Sequence, residues 1–319
     1  MQISLTTVGR LGSEFVRPEC VAVTKAGDLF TSHFGGGISH ITATGQRHDY
    51  LGPGDPTVTT NGFSITPEGD FLCASLLPPG GVWRITRGGE QIPFLLEIDG
   101  KPLTSVNFVH VDAKARAWIT ISTEENPRQL AYRGDVASGF IILVDKRGAR
   151  VVADGIGYTN EAKVDPSGEW LYINETFGRR TSRYRIAADG ALGRKEVVTE
   201  YGRGNYPDGL DFDVEGGVWI SSIISNRVIR IDPTGLQQVM LEELDEAHIE
   251  RAEAAYLSGQ LGRDHLDAIH TPTLKNVSSI TFGGPHLKTG FVGNLLDDCV
   301  YTFASPFAGV PAPHWLQTF

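Results

Sequence analysis

PDGLDFDVEGGVWIS, residues 207–221, reads as two short apolar runs joined by a tight turn. Apolar side chains alternate on either side of the Glu-Gly-Gly step, which is the period of a β-strand and the chemistry of a hairpin turn. The pattern occurs five more times. It runs as PECVAVTKAGDLFTS from Pro18, NGFSITPEGDFLCAS from Asn61, NFVHVDAKARAWITI from Asn107, NEAKVDPSGEWLYIN from Asn160 and SITFGGPHLKTGFVG from Ser279. Further apolar stretches such as GVWRITRGG, SRYRIAADG and NRVIRIDPTG follow the copies and supply outer strands. A repeat of about 45 residues built from several half-buried strands is the signature of a propeller blade. The predicted fold is all-β, a six-bladed β-propeller forming one domain over residues 1–319. The opening QISLTTVG is free to complete the last blade by pairing near the C-terminus.

The spacing between the last two copies is longer than the others by about 25 residues, more than a connecting loop needs. Within the insert, residues 241–275, EELDEAHIERAEAAYLSGQLG is rich in Glu, Ala and Leu. Leu244, His248, Ile249, Ala252 and Tyr256 recur at helical spacing, which predicts a short helix over 241–262 between blades five and six. Two readings stand. The helix overhangs the channel mouth through Tyr256 and Leu257, or it only decorates the surface.

Composition narrows the function. The 319 residues carry 38 acidic against 28 basic side chains, a net charge of −10, which argues against nucleic-acid and anionic-membrane partners. With 38 glycines the chain is rich in turns, and no apolar run is long enough to span a membrane. Cys20, Cys73 and Cys299 lie far apart, with no metal-binding or disulfide spacing. MQISLTTVGRLGSEF lacks the basic-then-apolar order of a signal peptide, so the expected compartment is the cytoplasm. There is no GxSxG, and Gly35-Gly36-Gly37 lacks the rest of a phosphate-binding loop.

In a propeller the first residue of each inner strand lies near one mouth of the central channel. Those positions hold Glu19, Asn61, Asn107, Asn160, Asp208 and Ser279. Asn and Asp are poor strand formers, so an oxygen-bearing side chain at every equivalent position points to a ring of ligands. Two carboxylates with carboxamides suit a hard divalent cation, and no Arg in the motifs pairs with those carboxylates. His33 lies one strand beyond Glu19, where it either reaches the channel as a substrate contact or serves as hydrogen-bonded structure. His110 and Trp83, Trp118, Trp170 and Trp219 read as packing, and Glu124 and Glu125 as solvated.

RPECVAV at 17–23, NGFSITPEGDFL at 61–72, TNEAKVDPSGEWLYINET at 159–176, PDGLDFDVEGGVWIS at 207–221 and SSITFGGPHLKTGFVG at 278–293 resemble the senescence-marker-protein/gluconolactonase family, which includes regucalcin. The resemblance covers the chain except for the insert. It implies a metal-dependent hydrolase that opens a lactone, a small cyclic ester, at the channel mouth. One divalent ion, Ca²⁺ foremost with Zn²⁺, Mn²⁺ or Mg²⁺ as alternatives, would be held by Glu19, Asn160 and Asp208, with Asp208 also the base. Asn107 and Asn61 would contact substrate. The same scaffold also fits a metal-assisted lyase, dehydratase or isomerase, or a non-catalytic calcium- or ligand-binding propeller. Three positions depart from the family pattern. Ser105 stands where an Arg contacts substrate, and Cys20 and Glu161 replace glycines after Glu19 and Asn160. A reshaped mouth and a more apolar or differently charged substrate are the expected consequences.

Overall fold

The computed structural model describes residues 2–52, 58–268 and 271–319. It is a six-bladed β-propeller of four-stranded antiparallel sheets. The inner strands are Val21–Val23, Thr60–Ile65, Val106–Val111, Thr159–Val164, Asn205–Phe212 and Val277–Gly283, one for each repeat. Blade six is closed by the N-terminus, where Gly9–Leu11 pairs with Val300–Ala304 as the outermost strand. The closing strand thus begins only at the last residue of the QISLTTVG segment, in which Leu5–Thr7 is a 3-10 turn.

The strands are more deeply buried than alternation implies. Val106–Val111, Ala117–Ile121 and Val218–Ile224 are buried at every residue. Each blade is covered on both faces by its neighbours, so the polar residues of the alternation also face protein. They are small, and they bond the adjacent blade in place of water. Ser64 Oγ accepts from Val111 N (3.0 Å), Asn174 Nδ2 donates to Asp208 O (3.0 Å), and Ser221 Oγ donates to Ser278 O (2.6 Å). Outer strands such as Leu192–Glu200 show an exposed face.

The turns after the inner strands repeat a polar clamp. Asp112 accepts from Trp118 Nε1 (3.0 Å) and Arg116 Nε (2.7 Å), and Asp213 from Trp219 Nε1 (2.7 Å) and Arg230 Nε (2.6 Å). Trp118 and Trp219 are fully buried and Trp83 is buried, whereas Trp170 is half-buried beneath the Arg183 guanidinium, 4.1 Å from its ring centroid.

The insert contains the two α-helices of the described residues, α1 (Glu246–Leu257) and α2 (Arg263–Leu266). Asp245 caps α1 by accepting from His248 N (3.0 Å). Ala252, Leu261 and Leu266 pack with Tyr132, Phe177, Tyr206 and Ile223, and Arg179 Nη1 holds Glu253 Oε1 at 2.9 Å. The insert is therefore part of the core beside the channel. No helix among the described residues is long and apolar enough to cross a membrane.

Candidate functional site

Strand pairing shifts at the leading polar residue of blades two to six. The ladder skips Asn61-Gly62, Asn107, Asn160-Glu161, Asp208-Gly209 and Ser278-Ser279, one β-bulge in each inner strand of those blades, whereas Glu19 precedes the regular blade-one strand Val21–Val23. A bulge re-aims the side chains beside it, and here it turns an oxygen donor along the channel. At Gly209 a Cβ would lie 2.4 Å from Ser279 Cα, so the bulge packs there only without a side chain. By this register the sixth position is Ser278, not Ser279, and its hydroxyl donates to Glu19 O (2.8 Å). The ring that reaches the mouth has five members, Glu19, Asn61, Asn107, Asn160 and Asp208, each no more than 8 % exposed.

Hydrogen bonds orient the amides. Thr176 Oγ1 donates to Pro207 O (2.8 Å), so it accepts from Asn160 Nδ2 (2.9 Å) and leaves the Asn160 oxygen for the channel. Asn107 Nδ2 donates to Ser122 Oγ (3.0 Å), and Asn61 Nδ2 to Asn107 O (3.1 Å). Asn61 Oδ1 is buried without a hydrogen bond, and Glu19 Oε2 has only the Arg17 guanidinium against it. These oxygens surround a cavity of about 30 Å³, enough for an ion or a water. Burial, then the charges of Glu19 and Glu161, push the Asp208 carboxyl well above the usual range. A divalent cation would reverse that effect, and two carboxylates with amide oxygens form a hard-cation donor set. The residues present fit a divalent ion.

Contrary to the sequence expectation, an arginine does pair with the ring. Arg17 Nη2 lies 2.9 Å from Glu19 Oε2, and its guanidinium stacks on Phe34 at 4.5 Å. Ser105 is buried on the wall of an adjoining cavity of about 460 Å³, which shares Arg17, Leu76, Arg128 and Arg263 with the mouth. His33 is not at the mouth. Its Nδ1 accepts from Gly35 N (3.1 Å), and its ring faces the charges of Asp49 and Arg47 in the outer strand of blade one.

The insert reaches the mouth through different residues from those expected. Leu257 is 74 % exposed, and the Tyr256 hydroxyl donates to Phe177 O (2.7 Å) beneath α1. Arg263 and Leu266 of α2 line the cavity instead.

Cys20 and Glu161 do not reshape the mouth either. Glu161 Oε2 accepts from Leu210 N (3.0 Å) and lies 3.6 Å from Lys163 Nζ, and burial pushes its carboxyl up to about 7. Cys20 and Lys163 belong to a second cavity of about 370 Å³, at the other end of the inner strands. It is lined also by His110, Asp211 and His314; burial lowers the two imidazoles to about 3 and 4.

Sequence reading missed Arg17, Arg128, Tyr132, Thr176, Arg263 and Leu295 at the mouth. Arg17 and Thr176 stand inside the repeated motifs and were within reach. Arg128 and Arg263 come from connections outside the repeat, where nothing local distinguishes a cavity residue from a solvated one.

Residues 35–243 match the profile of the SMP-30/gluconolactonase/LRE-like region. A 6-deoxy-6-sulfogluconolactonase of Pseudomonas putida is 28 % identical over 177 residues, 54 % of this chain and 57 % of that protein. The chain thus spans little more than half the length of this curated relative. Regucalcin of Agrobacterium tumefaciens, a calcium-binding protein, superposes with a TM-score of 0.69 at 16 % identity over 100 % of this chain and 99 % of its own. A gluconolactonase of Xanthomonas campestris gives 0.67 at 19 % identity over 96 % and 94 %. At such identities the two structures share the fold.

Proposed function

Because the chain belongs to the SMP-30/gluconolactonase/LRE-like family, we propose that it is a metal-dependent hydrolase that opens a lactone at the Glu19–Asp208 mouth. The observation that carries the reading is the ring itself, two buried carboxylates and three amides around an ion-sized cavity that adjoins one of ligand size. The lactonase names of the Pseudomonas and Xanthomonas relatives support the substrate class, and the calcium of the Agrobacterium protein's name supports Ca²⁺.

Glu19, Asn160 and Asp208 are the proposed ligands. A divalent ion there supplies Lewis acidity toward the ester carbonyl and the attacking water. Asp208 takes the proton from that water as its oxygen bonds the carbonyl carbon, and returns it to the ring oxygen as the ester bond breaks. Asn107 and Asn61 position the substrate, while Arg17 holds Glu19 in place. Tyr132, Phe177 and Leu295 exclude bulk water from one wall.

Dialysis against a chelator should abolish hydrolysis across a panel of lactones, followed by pH-stat. Addition of Ca²⁺, Zn²⁺, Mn²⁺ or Mg²⁺ should restore it. Full turnover by protein verified as metal-free would overturn the reading.

A further inference from the structure

Three guanidiniums reach the mouth, and two are already matched. Arg17 is paired with Glu19, and Arg263 Nε donates to Asp267 Oδ2 at 3.0 Å. Arg128, which opens the 3-10 turn Arg128–Ala131 in blade three, forms no ion pair among the described residues. Its Nη1 is buried without a hydrogen-bond partner. A guanidinium edge withdrawn from water with no acceptor is costly, and more so beside other cations. The adjoining cavity sets one carboxylate, Glu125, among Arg17, Arg128 and Arg263, and Glu125 pairs with none of them. Once a divalent ion offsets Glu19 and Asp208, the charges of Arg17 and Arg128 face only the single carboxylate of Glu125, and one positive charge is left over.

We propose that the lactone taken by this site carries an anionic group, a carboxylate, sulfonate or phosphate, that is bound by Arg128 in the cavity beside the ring. This rests on the hydrolase reading above and adds the substrate's charge to it. The planar donor edge of arginine matches an oxyanion with two parallel hydrogen bonds, which a neutral hydroxyl does not provide. Ser105, with its short side chain, lines the same cavity of about 460 Å³ and leaves room for the ligand. Leu266 and Arg263 of α2 line the mouth next to Arg128, so the insert helps to shield this contact from water.

The test compares D-glucaro-1,4-lactone, which has a carboxylate at carbon 6, with D-glucono-1,4-lactone, which has a hydroxyl there. The metal-loaded protein should prefer the charged lactone in kcat/KM. Arg128→Met should lower that preference about 10–100-fold, the size of a lost hydrogen bond to a charged group, mainly through KM. Arg128→Lys should restore part of it, and Arg133→Met on the exposed turn should leave it unaltered. Absence of a preference, or the same preference in Arg128→Met, overturns the proposal. If neither lactone is turned over, the hydrolase reading fails separately, and calorimetry with D-glucarate decides this one. Binding at least about tenfold weaker in Arg128→Met supports the anion site, and equal binding overturns it.

Discussion

The proposed role of Asp208 sets opposing demands on it, which a bound cation would reconcile. Burial and the neighbouring Glu19 and Glu161 raise its carboxyl, so without an ion the site favours the protonated acid. A ligand and base must be ionised. Asp208→Asn keeps the shape and removes the charge, and turnover should fall about 10²–10⁴-fold, the usual loss of a general base. The chelated variant should melt no lower than chelated wild type, because one of two repelling carboxylates is gone. More than half of wild-type activity in the variant would move the base role to Glu19. The cysteines behave in the opposite way to a reactive site. Burial raises all three thiols, so Ellman's reagent should find none in the native protein and three after denaturation. Prompt labelling of Cys20 would show that the far cavity opens. At this scale the ring was legible because its residues repeat with the blades. The pairing of Arg17 with Glu19 was not, since it depends on how the segment before blade one turns back on itself.

The Asp–Trp–Arg clamps show what a blade needs beyond alternation. Burial opposes the Asp213 carboxylate, but hydrogen bonds from Arg230, Trp219 and Gly217 N outweigh it and hold its carboxyl below the usual range. A lowered folded-state value means a stabilising contribution that is complete above the unfolded carboxylate's value and is lost as pH falls through the folded one. Asp213→Asn should therefore cost about 3–5 kcal/mol in denaturant melts at pH 7, as expected when a buried pair loses one partner. The cost should shrink as the pH drops below about 4, where the unfolded carboxyl is protonated. An equal cost at both pH values would exclude an ionised Asp213. Period-two reading found the two inner strands of every blade, yet it could not show the bulges, because an inserted polar residue looks like the start of a strand. The insert was legible as a helix through Ile249, Ala252 and Tyr256, while its burial was not, since the apolar surface it covers belongs to other blades. Leu266→Ala tests that burial. It should cost about 2–5 kcal/mol and lower kcat/KM together, because the side chain serves both core and mouth. An unchanged melt would return the insert to the role of a cover.

Six blades form a ring only if the ends of the chain are tied, and the two termini do this differently. The N-terminal strand Gly9–Leu11 covers the edge of Val300–Ala304, and Arg10 holds Asp297 through two hydrogen bonds of 2.7 and 2.9 Å. The C-terminal segment crosses the far cavity instead. Val310 N donates to Phe212 O (3.0 Å) and Lys25 N to Trp315 O (2.8 Å), while Phe319 packs on Phe30 and Phe71 beneath the Arg87 guanidinium. Removing residues 2–11 uncovers a strand edge and takes a partner from Asp297, whose side chain is 4 % exposed. Removing residues 310–319 uncovers aromatic surface but leaves every sheet paired and the proposed catalytic mouth untouched. Calorimetry should show the larger fall in melting temperature for the N-terminal deletion, and light scattering should show concentration-dependent association in that variant alone. The C-terminal deletion should keep kcat/KM within about threefold, since the contacts it removes lie at the far end, away from the mouth. Equal melting losses would show that the C-terminal segment ties the ring as firmly as the N-terminal strand, and a collapse of activity on C-terminal deletion would show that the far cavity and the mouth are coupled.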